Sequence, residues 1–316
     1  MTRAVVFAYH NVGARCLAVL LAHGVEVARV ITHADNPAEQ IWFDSVAEFA
    51  ARYDIPVRLP EDANDPALLA ELTALQPDFL FSFYYRQMLK APLLALPKRG
   101  AYNMHGSLLP KYRGRVPVNW AIIHGERETG ATLHQMLEKP DAGGIVAQQA
   151  VPILPDDTAG EVFGKVTLAA ELALDRVLPD LLAGRVTPRP QDLATGSYFS
   201  GRRAEDGRID WRQPALTVHN LVRAVAPPYP GAFFDTPKGR FRILRSLHPE
   251  QAWPARHDVP GQGRPTLFIH DGRWHAECGD GRVLRLLAVE FSGSPLSATG
   301  DNPLLPIFGT PTLLLT

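Results

Sequence analysis

Short apolar runs alternate with helix-length segments over the first hundred residues, and this alternation constrains the fold more than any other feature. The apolar runs occupy residues 3–8, 25–32, 55–59, 78–83 and 101–104. Segments long enough for helices lie between them, for example at residues 12–23, 44–53 and 66–76. Strands and helices that alternate with short connections form a parallel sheet with helices on both faces. The pattern therefore predicts an α/β fold with a Rossmann-like parallel sheet.

A different pattern follows the last long helix of this region. That helix is predicted to begin at Thr158, because Thr158 and Glu161 form a capping box, and to stop at Gly184. After about residue 200, short strand-like runs punctuated by glycine and proline indicate a small C-terminal β-barrel or sandwich, and we expect a barrel of the OB-like kind. These runs lie at 232–235, 240–245, 266–270 and 282–289, after a helix at 214–225, and residues 250–265 read as a loop. The sequence thus predicts a Rossmann-like domain over 1–200 and a small β domain over 201–316.

Composition argues against several classes of protein. The chain has 32 Lys and Arg residues against 33 Asp and Glu, a formal net charge of -1, so no overall field attracts nucleic acid or anionic membrane. Cys16 and Cys278 are the only cysteines, too few for a disulfide framework or a multi-thiolate metal site. No apolar run approaches the roughly 18 residues of a membrane span, and the N-terminus shows no targeting segment. We expect a cytoplasmic protein with no metal, nucleic-acid or membrane partner.

The turn after the first strand lacks the fingerprint of a dinucleotide site. It reads FAYHNVGARC, with Gly13 as its only glycine, so the backbone cannot approach a pyrophosphate in the usual way. Motifs of phosphate loops, zinc proteases and serine hydrolases are absent as well. Nicotinamide chemistry is therefore unsupported, and Gly13 is read as a turn residue.

Polar residues at two strand ends point to chemistry instead. In AYNMHGSLLP, Asn103 and His105 are two residues apart and should share the face of a strand whose carboxyl end opens toward a ligand. In LEKPDAGG, Asp141 lies in a turn between strand-like segments; taken alone, either stretch could simply form a turn. Together they supply an amide for an oxyanion, an imidazole for proton transfer and a carboxylate to hold the imidazolium. The set favours direct acyl transfer to a nitrogen.

These stretches resemble the folate-dependent formyltransferase family, whose hallmark is Asn-x-His, then Ser-Leu-Leu-Pro and a later Asp. Further segments, including VVFAYHNVG, FSFYYRQML and YFSGRRAEDGRIDW, resemble the branch that formylates UDP-4-amino-4-deoxy-L-arabinose for lipid A modification and polymyxin resistance. The likeness extends from residue 1 to about 245. It implies 10-formyltetrahydrofolate as the donor and a UDP-amino sugar as the acceptor. That branch's better-known form carries a fused decarboxylating dehydrogenase domain; we expect either that this activity lies on a separate chain or that the protein serves a related pathway.

The resemblance also implies roles for individual residues. His105 is expected to transfer the proton, Asn103 to stabilise the oxyanion and Asp141 to assist His105. Arg115 is expected at the acceptor site, with a solvated loop residue as the alternative. Independently of the resemblance, Arg202, beside Arg203 at the domain junction, is a candidate for the diphosphate, with ordinary linker charge as the alternative. The residues expected near the folate are Gln87, Met88, Leu89, Leu137, Glu138, Lys139, Pro140 and Asp141, with helix core as the alternative for Met88 and Leu89. His10, His134 and His219 are interpreted as structural, and Lys111 and Arg113 have no assigned role. Tyr84 and Tyr85 lie at the end of another predicted strand and are expected at the pocket wall.

Three related activities remain open at this point. The same site could formylate another nucleotide-linked amino sugar or methionyl-tRNA, or it could hydrolyse 10-formyltetrahydrofolate to formate. A tRNA acceptor predicts a basic surface, but residues 201–316 carry no run rich in lysine and arginine. A hydrolase predicts formate release without any amine.

Overall fold

The computed structural model describes residues 2–37, 41–251 and 259–315. By their contacts the residues form two compact units. The first comprises Met1–Pro117, Glu128–Pro152 and Phe163–Gly201, and the second comprises Val118–Arg127, Ile153–Val162 and Arg202–Thr316. The domain boundary after residue 200 stays a prediction.

The strands and helices of the first two hundred residues alternate as the sequence pattern indicates. The strands are β1 (Arg3–Ala8), β2 (Glu26–Ile31), β3 (Val57–Arg58), β4 (Phe79–Phe83), β5 (Ala101–His105), β6 (Arg113–Gly114), β7 (Glu128–Gln135), β8 (Ile145–Pro152) and β9 (Tyr198–Phe199). The helices are α1 (His10–Ala22), α2 (Val46–Ala51), α3 (Pro66–Ala74), α4 (Ala91–Leu94), α5 (Pro117–Ile123) and α6 (Ala159–Leu182). The predicted α/β fold is confirmed.

Seven of these strands form one sheet in the order β3-β2-β1-β4-β5-β7-β8. The first five are parallel, whereas β7 runs antiparallel to β5 and β8 antiparallel to β7. The prediction of a parallel sheet therefore needs a correction at this edge. Residues 136–144 connect β7 to β8, and so short a connection favours an antiparallel pair, because a parallel pair requires a longer crossover.

Helices cover both faces of the parallel strands. On one face, Leu68 and Leu72 of α3 pack in a core cluster with Val5, Phe7 and Leu80 of β1 and β4. On the other face, α1 approaches Ala8 closely at Gly13, where an added Cβ would lie 3.1 Å from the Cβ of Ala8. Gly13 is thus a close-packing residue inside α1, which corrects its interpretation as a turn residue.

The N-terminus of α6 has the predicted capping box. The backbone N–H and the hydroxyl of Thr158 donate to Oε2 of Glu161 at 2.7 and 2.8 Å, and the Glu161 N–H donates back to the Thr158 hydroxyl at 3.4 Å. The helix ends at Leu182, and Gly184 has a φ of 72°, the left-handed conformation that favours glycine after a helix. Local sequence signals therefore set both ends of α6.

The second unit contains an antiparallel sheet. After residue 201 its helices are α7 (Ala215–Ala224) and α8 (Leu304–Phe308), and its strands are β10 (Ala232–Thr236), β11 (Gly239–Ser246), β12 (Thr266–His270), β13 (Arg273–Glu277), β14 (Val283–Phe291), β15 (Ser294–Pro295) and β16 (Thr312–Leu314). The main strand order is β10-β11-β14-β13-β12-β16, with β15 paired to β14. Trp211, Phe241 and Ile243 are fully buried in its core. The predicted barrel-like domain is confirmed as a curled half-barrel.

The sequence did not predict β13, although its turn carries a signal. Asp271 and Gly272 join β12 to β13 with φ angles of 49° and 66°, the geometry that an Asp-Gly hairpin turn favours. Part of the loop predicted at 250–265, residues 252–258, lies outside the described residues. Across the ranges that the structure describes, no helix is both long and apolar enough to cross a membrane.

Candidate active site

Strand β5 places Asn103 and His105 on one face at its carboxyl end. Alternate residues of a strand share a face, and Ala101, two residues earlier, belongs to the core cluster beneath α3. His105 is buried and Asn103 half-buried. The two polar side chains therefore point to the same side of the sheet, as their spacing predicts.

Strand β7 adds a third polar side chain, which the sequence did not identify as part of the site. The antiparallel register sets His134 opposite Asn103, and the two side chains meet with 3.2 Å between Nε2 of His134 and Nδ2 of Asn103. Nδ1 of His134 lies 2.7 Å from the carbonyl oxygen of Gln135, so this nitrogen carries the proton and donates. His134 thus presents Nε2 to the site and fixes the amide of Asn103.

Asp141 places its carboxylate between the two imidazoles. Its Oδ1 lies 3.6 Å from Nδ1 of His105 and 3.4 Å from Nε2 of His134, while Oδ2 accepts a 2.8 Å hydrogen bond from the N–H of Gly114. The carboxylate therefore binds β6 instead of its own turn. Asp141 has a φ of 52°, a conformation uncommon for residues other than glycine. Such backbone strain is typical of functional sites.

The surroundings of Asp141 favour its ionised form. Burial alone would raise the pKa of the carboxyl group, but the charge of His105, the facing imidazole of His134 and the N–H of Gly114 together lower it below its usual range. The site therefore contains an anion in contact with two imidazole rings at neutral pH.

Main-chain groups hold the two central residues in place. Nε2 of His105 donates to the carbonyl oxygen of Tyr112 at 2.8 Å, which leaves Nδ1 as the ring nitrogen available for proton transfer. The side-chain amide of Gln191 donates to the carbonyl oxygens of Asp141 and Gly143, at 3.0 and 2.6 Å. The catalytic candidates thus depend on β6 and on the segment before β9.

Tyr84 lies against the backbone beside His105. A Cβ added to Gly106 would collide with the Tyr84 hydroxyl, so only glycine permits this close approach. Tyr84 itself has a φ of 58°. The hydroxyl therefore lies beside the residue that follows His105, and the place of Tyr84 at the pocket wall stays a prediction.

No covalent nucleophile is available among the residues that the sequence raised. Ser107 is fully buried and donates to the carbonyl oxygen of Lys111 at 2.7 Å. Cys16 is also fully buried, and burial raises the pKa of its thiol, which suppresses the reactive thiolate. The geometry therefore agrees with direct transfer.

Comparisons with known proteins agree with this chemistry. Residues 5–178 match the formyl transferase family, and residues 202–300 match the formyl transferase C-terminal domain. The chain belongs to the formyl transferase family. This match confirms the predicted class of enzyme.

Several solved structures share the fold. WlaRD, a sugar 3N-formyl transferase solved with dTDP and 5-N-formyl-THF, has a TM-score of 0.69 at 20% identity and covers 90% of this chain and 97% of its own. The N-formyltransferase from Helicobacter canadensis, in complex with folinic acid and dTDP-3-aminofucose, has a TM-score of 0.70 at 21% identity, with coverages of 90% and 99%. HypX from Aquifex aeolicus, in complex with tetrahydrofolic acid, has a TM-score of 0.61 at 19% identity, and the match covers 94% of this chain and 46% of HypX. At these identities the likeness shows the fold alone.

The residues expected near the folate differ in exposure within this formyltransferase. Met88 and Leu137 leave 54% of their surface exposed, although both are large and apolar. Leu89 is 3% exposed and packs in the core, and the segment 84–90 is not helical, so helix core is wrong as an explanation of Met88. Gln87 bonds to the backbone of residues 61 and 63, both at 2.8 Å. The other expected residues are Glu138 and Lys139, which are exposed, and Pro140, which is half-buried.

The two arginines expected at the acceptor site lie in different units. Arg115 has an exposed side chain, and its N–H pairs with the carbonyl oxygen of Phe199 at 3.0 Å. Arg202 lies over the ring of Trp120, 4.8 Å from its centroid, and donates to the carbonyl oxygen of Asp206 at 2.7 Å. Burial lowers the pKa of its guanidinium. Both roles at the acceptor site stay predictions.

Proposed function

We propose that this formyltransferase moves the formyl group of 10-formyltetrahydrofolate to the 4-amino group of UDP-4-amino-4-deoxy-L-arabinose. The family match supports formyl transfer, and two structures that share its fold contain a folate together with dTDP in one case and dTDP-3-aminofucose in the other. The segments quoted above support the arabinose branch. The observation that carries the proposal is the ionised Asp141 between His105 and His134, with Asn103 alongside.

The reaction begins when the neutral sugar amine attacks the formyl carbon and a new C–N bond forms. Negative charge develops on the formyl oxygen, and the amide N–H of Asn103 donates to it. His105 accepts the amine proton at Nδ1, and Asp141 stabilises the resulting imidazolium. His105 then protonates N10 of the folate as the C–N10 bond breaks, which yields the formamide and tetrahydrofolate. No covalent enzyme intermediate is required.

The proposed folate site uses two segments, Gln87 to Leu89 and Leu137 to Asp141. The exposure of Met88 and Leu137 supports this assignment, because a bound pteridine and its benzoyl group would remove apolar surface from water. Leu89, buried in the core, would contribute its backbone only.

The proposed acceptor site includes Arg115 and Arg202, whose guanidinium groups suit the phosphates of a nucleotide sugar. Lipid A modification in the cytoplasm is the proposed setting. A second candidate acceptor is another nucleotide-linked amino sugar, because the Helicobacter canadensis enzyme of the same fold was solved with dTDP-3-aminofucose.

Product analysis by mass spectrometry tests the proposal. The protein is incubated with 10-formyltetrahydrofolate and, in parallel reactions, UDP-4-amino-4-deoxy-L-arabinose, dTDP-3-aminofucose, methionyl-tRNA or no acceptor. We expect a mass increase of one formyl group on the UDP sugar and slow formate release without acceptor. The His105→Ala variant should fold normally but form no formylated product. Formylation of only another acceptor would refute the arabinose assignment, and steady formate release without amine would identify a hydrolase.

A further inference from the structure

Arg113 is a buried cation whose side chain has no partner among the residues that the structure describes. It is 9% exposed, and its Nε is shielded from solvent without a hydrogen-bond acceptor. No described carboxylate, carbonyl oxygen or aromatic ring contacts its guanidinium. An unpaired buried charge is costly, so it calls for an explanation.

This fold satisfies a comparable arginine elsewhere. Arg223 is 6% exposed, and its guanidinium donates to Oδ1 of Asn220 at 3.0 and 2.9 Å and to the carbonyl oxygens of Leu154 and Asp157 at 3.4 and 3.2 Å. Among the described residues, Arg113 by contrast has a buried Nε with no hydrogen-bond acceptor.

The backbone holds Arg113 directly beside the candidate active site. Its own N–H donates to the carbonyl oxygen of Ser197 at 3.0 Å, within the pairing of β6 with β9. Its neighbours on either side bind the reactive pair, since Tyr112 accepts from His105 and Gly114 donates to Asp141. Tyr112 and Gly114 have φ angles of 56° and 95°, so the segment adopts an uncommon backbone conformation on both sides of Arg113.

We propose that the guanidinium of Arg113 binds an anionic oxygen of a substrate held at the His105–Asp141 site. Guanidinium binds phosphate and carboxylate through paired N–H donors. Both substrates of the proposed function, on which this inference rests, carry such oxygens: the acceptor has a diphosphate, and the folate has glutamyl carboxylates. Arg113, left unassigned by the sequence, thus becomes a binding residue in addition to the exposed Arg115.

Thermal shift assays test the site without turnover. Wild type, Arg113→Met and the control Arg127→Met, whose side chain is exposed, are each titrated with UDP, inorganic pyrophosphate and 5-formyltetrahydrofolate. Arg113→Met should weaken binding of one probe class by about 10- to 100-fold, and Arg127→Met should change none. Loss of UDP and pyrophosphate binding identifies the phosphate source, and loss of 5-formyltetrahydrofolate binding identifies the carboxylate source.

The melting temperature without ligand gives a second readout. Because Arg113 is an unpaired buried charge, Arg113→Met should melt at or above the wild-type temperature, whereas removal of a structural cation would lower it. Arg113→Lys, which keeps the charge but lacks the paired donors, serves if the methionine variant fails to fold, and it too should bind the probe more weakly. Unchanged binding of all probes, or an Arg113→Met variant that folds but melts clearly below wild type, would overturn the proposal. If wild type formylates no amino sugar, the proposed function fails, yet this binding comparison still decides the role of Arg113.

Discussion

Replacement of Asp141 by asparagine tests the centre of the site. Asparagine has nearly the same shape and can still accept from the N–H of Gly114, but it carries no charge between the imidazoles of His105 and His134. The substitution therefore separates the electrostatic role of Asp141 from its structural one.

The expected loss in turnover is large. Without the carboxylate, the imidazolium that forms on His105 loses its facing anion, and a positioned proton-transfer group is worth roughly a hundred- to ten-thousand-fold in rate. We expect kcat to fall within that range. KM for the acceptor should change little, because the carboxylate acts on the developing charge and not on the ground state.

The same substitution has a predictable effect on stability. A carboxyl group whose pKa is lowered by folding stabilises the protein above its unfolded pKa, near 3.9, and this contribution is lost as pH falls through the lower folded value. Asp141→Asn should therefore cost about 1–2 kcal/mol of unfolding free energy near pH 7, the difference between a charge-assisted and a neutral hydrogen bond. The deficit relative to wild type should shrink below about pH 4.

Steady-state kinetics and denaturant unfolding from pH 7 to 3.5 measure both effects. Asp175→Asn is the matched control, because Asp175 forms an exposed ion pair with His23 at 2.8 Å, outside the site. It should leave kcat unchanged. If Asp141→Asn kept kcat within threefold of wild type, the assigned role of the carboxylate would be refuted.

Three further substitutions test two contacts at the site and the cap of α6. His134→Phe removes the contact that fixes Asn103, so kcat should fall by about a hundred-fold, the cost of a small misplacement of a reacting group. Circular dichroism should show a folded protein, and an unchanged kcat would contradict this role of His134. Gly106→Ala should lower the free energy of unfolding by about 1–3 kcal/mol in denaturant, because the new methyl group meets the Tyr84 hydroxyl. Adding Tyr84→Phe to this variant should recover part of the loss. An equal loss in the single and the double variant would refute the clash. Thr158→Ala should cost about 1 kcal/mol through the lost cap and leave kcat intact, and an unaltered melting curve would argue against the capping box.

Much of the fold follows from local patterns in the sequence. Apolar runs predicted β1, β2, β4 and β5 to within about two residues, since buried strands need apolar side chains on both faces. The antiparallel direction of β7 depends on pairing between distant segments, so no local pattern reveals it. The strand β13 was missed because its run RWHAE is short and largely polar, although the Asp271-Gly272 turn before it favours a hairpin.

The site was predictable only in part, for a similar reason. The spacing of Asn103 and His105 is a local property of one strand, and the sequence revealed it. His134 joins them through a register between two strands, and a lone histidine gives no sign of that pairing. Tyr112 and Gly114 contribute main-chain groups that nearly every residue type carries, so residue identity could not mark them.

Residues that follow α6 in the chain hold Asp141 in place, and this matters for the design of shorter fragments of the protein. The N-terminal family match ends at residue 178, and a fragment cut there would retain Asn103, His105 and Asp141. It would lack Gln191, which fixes the turn of Asp141, and β9, which pairs with β6. An expression fragment intended to keep catalysis should therefore extend at least through Phe199, since a shorter one would contain the reactive side chains without the framework that aligns them.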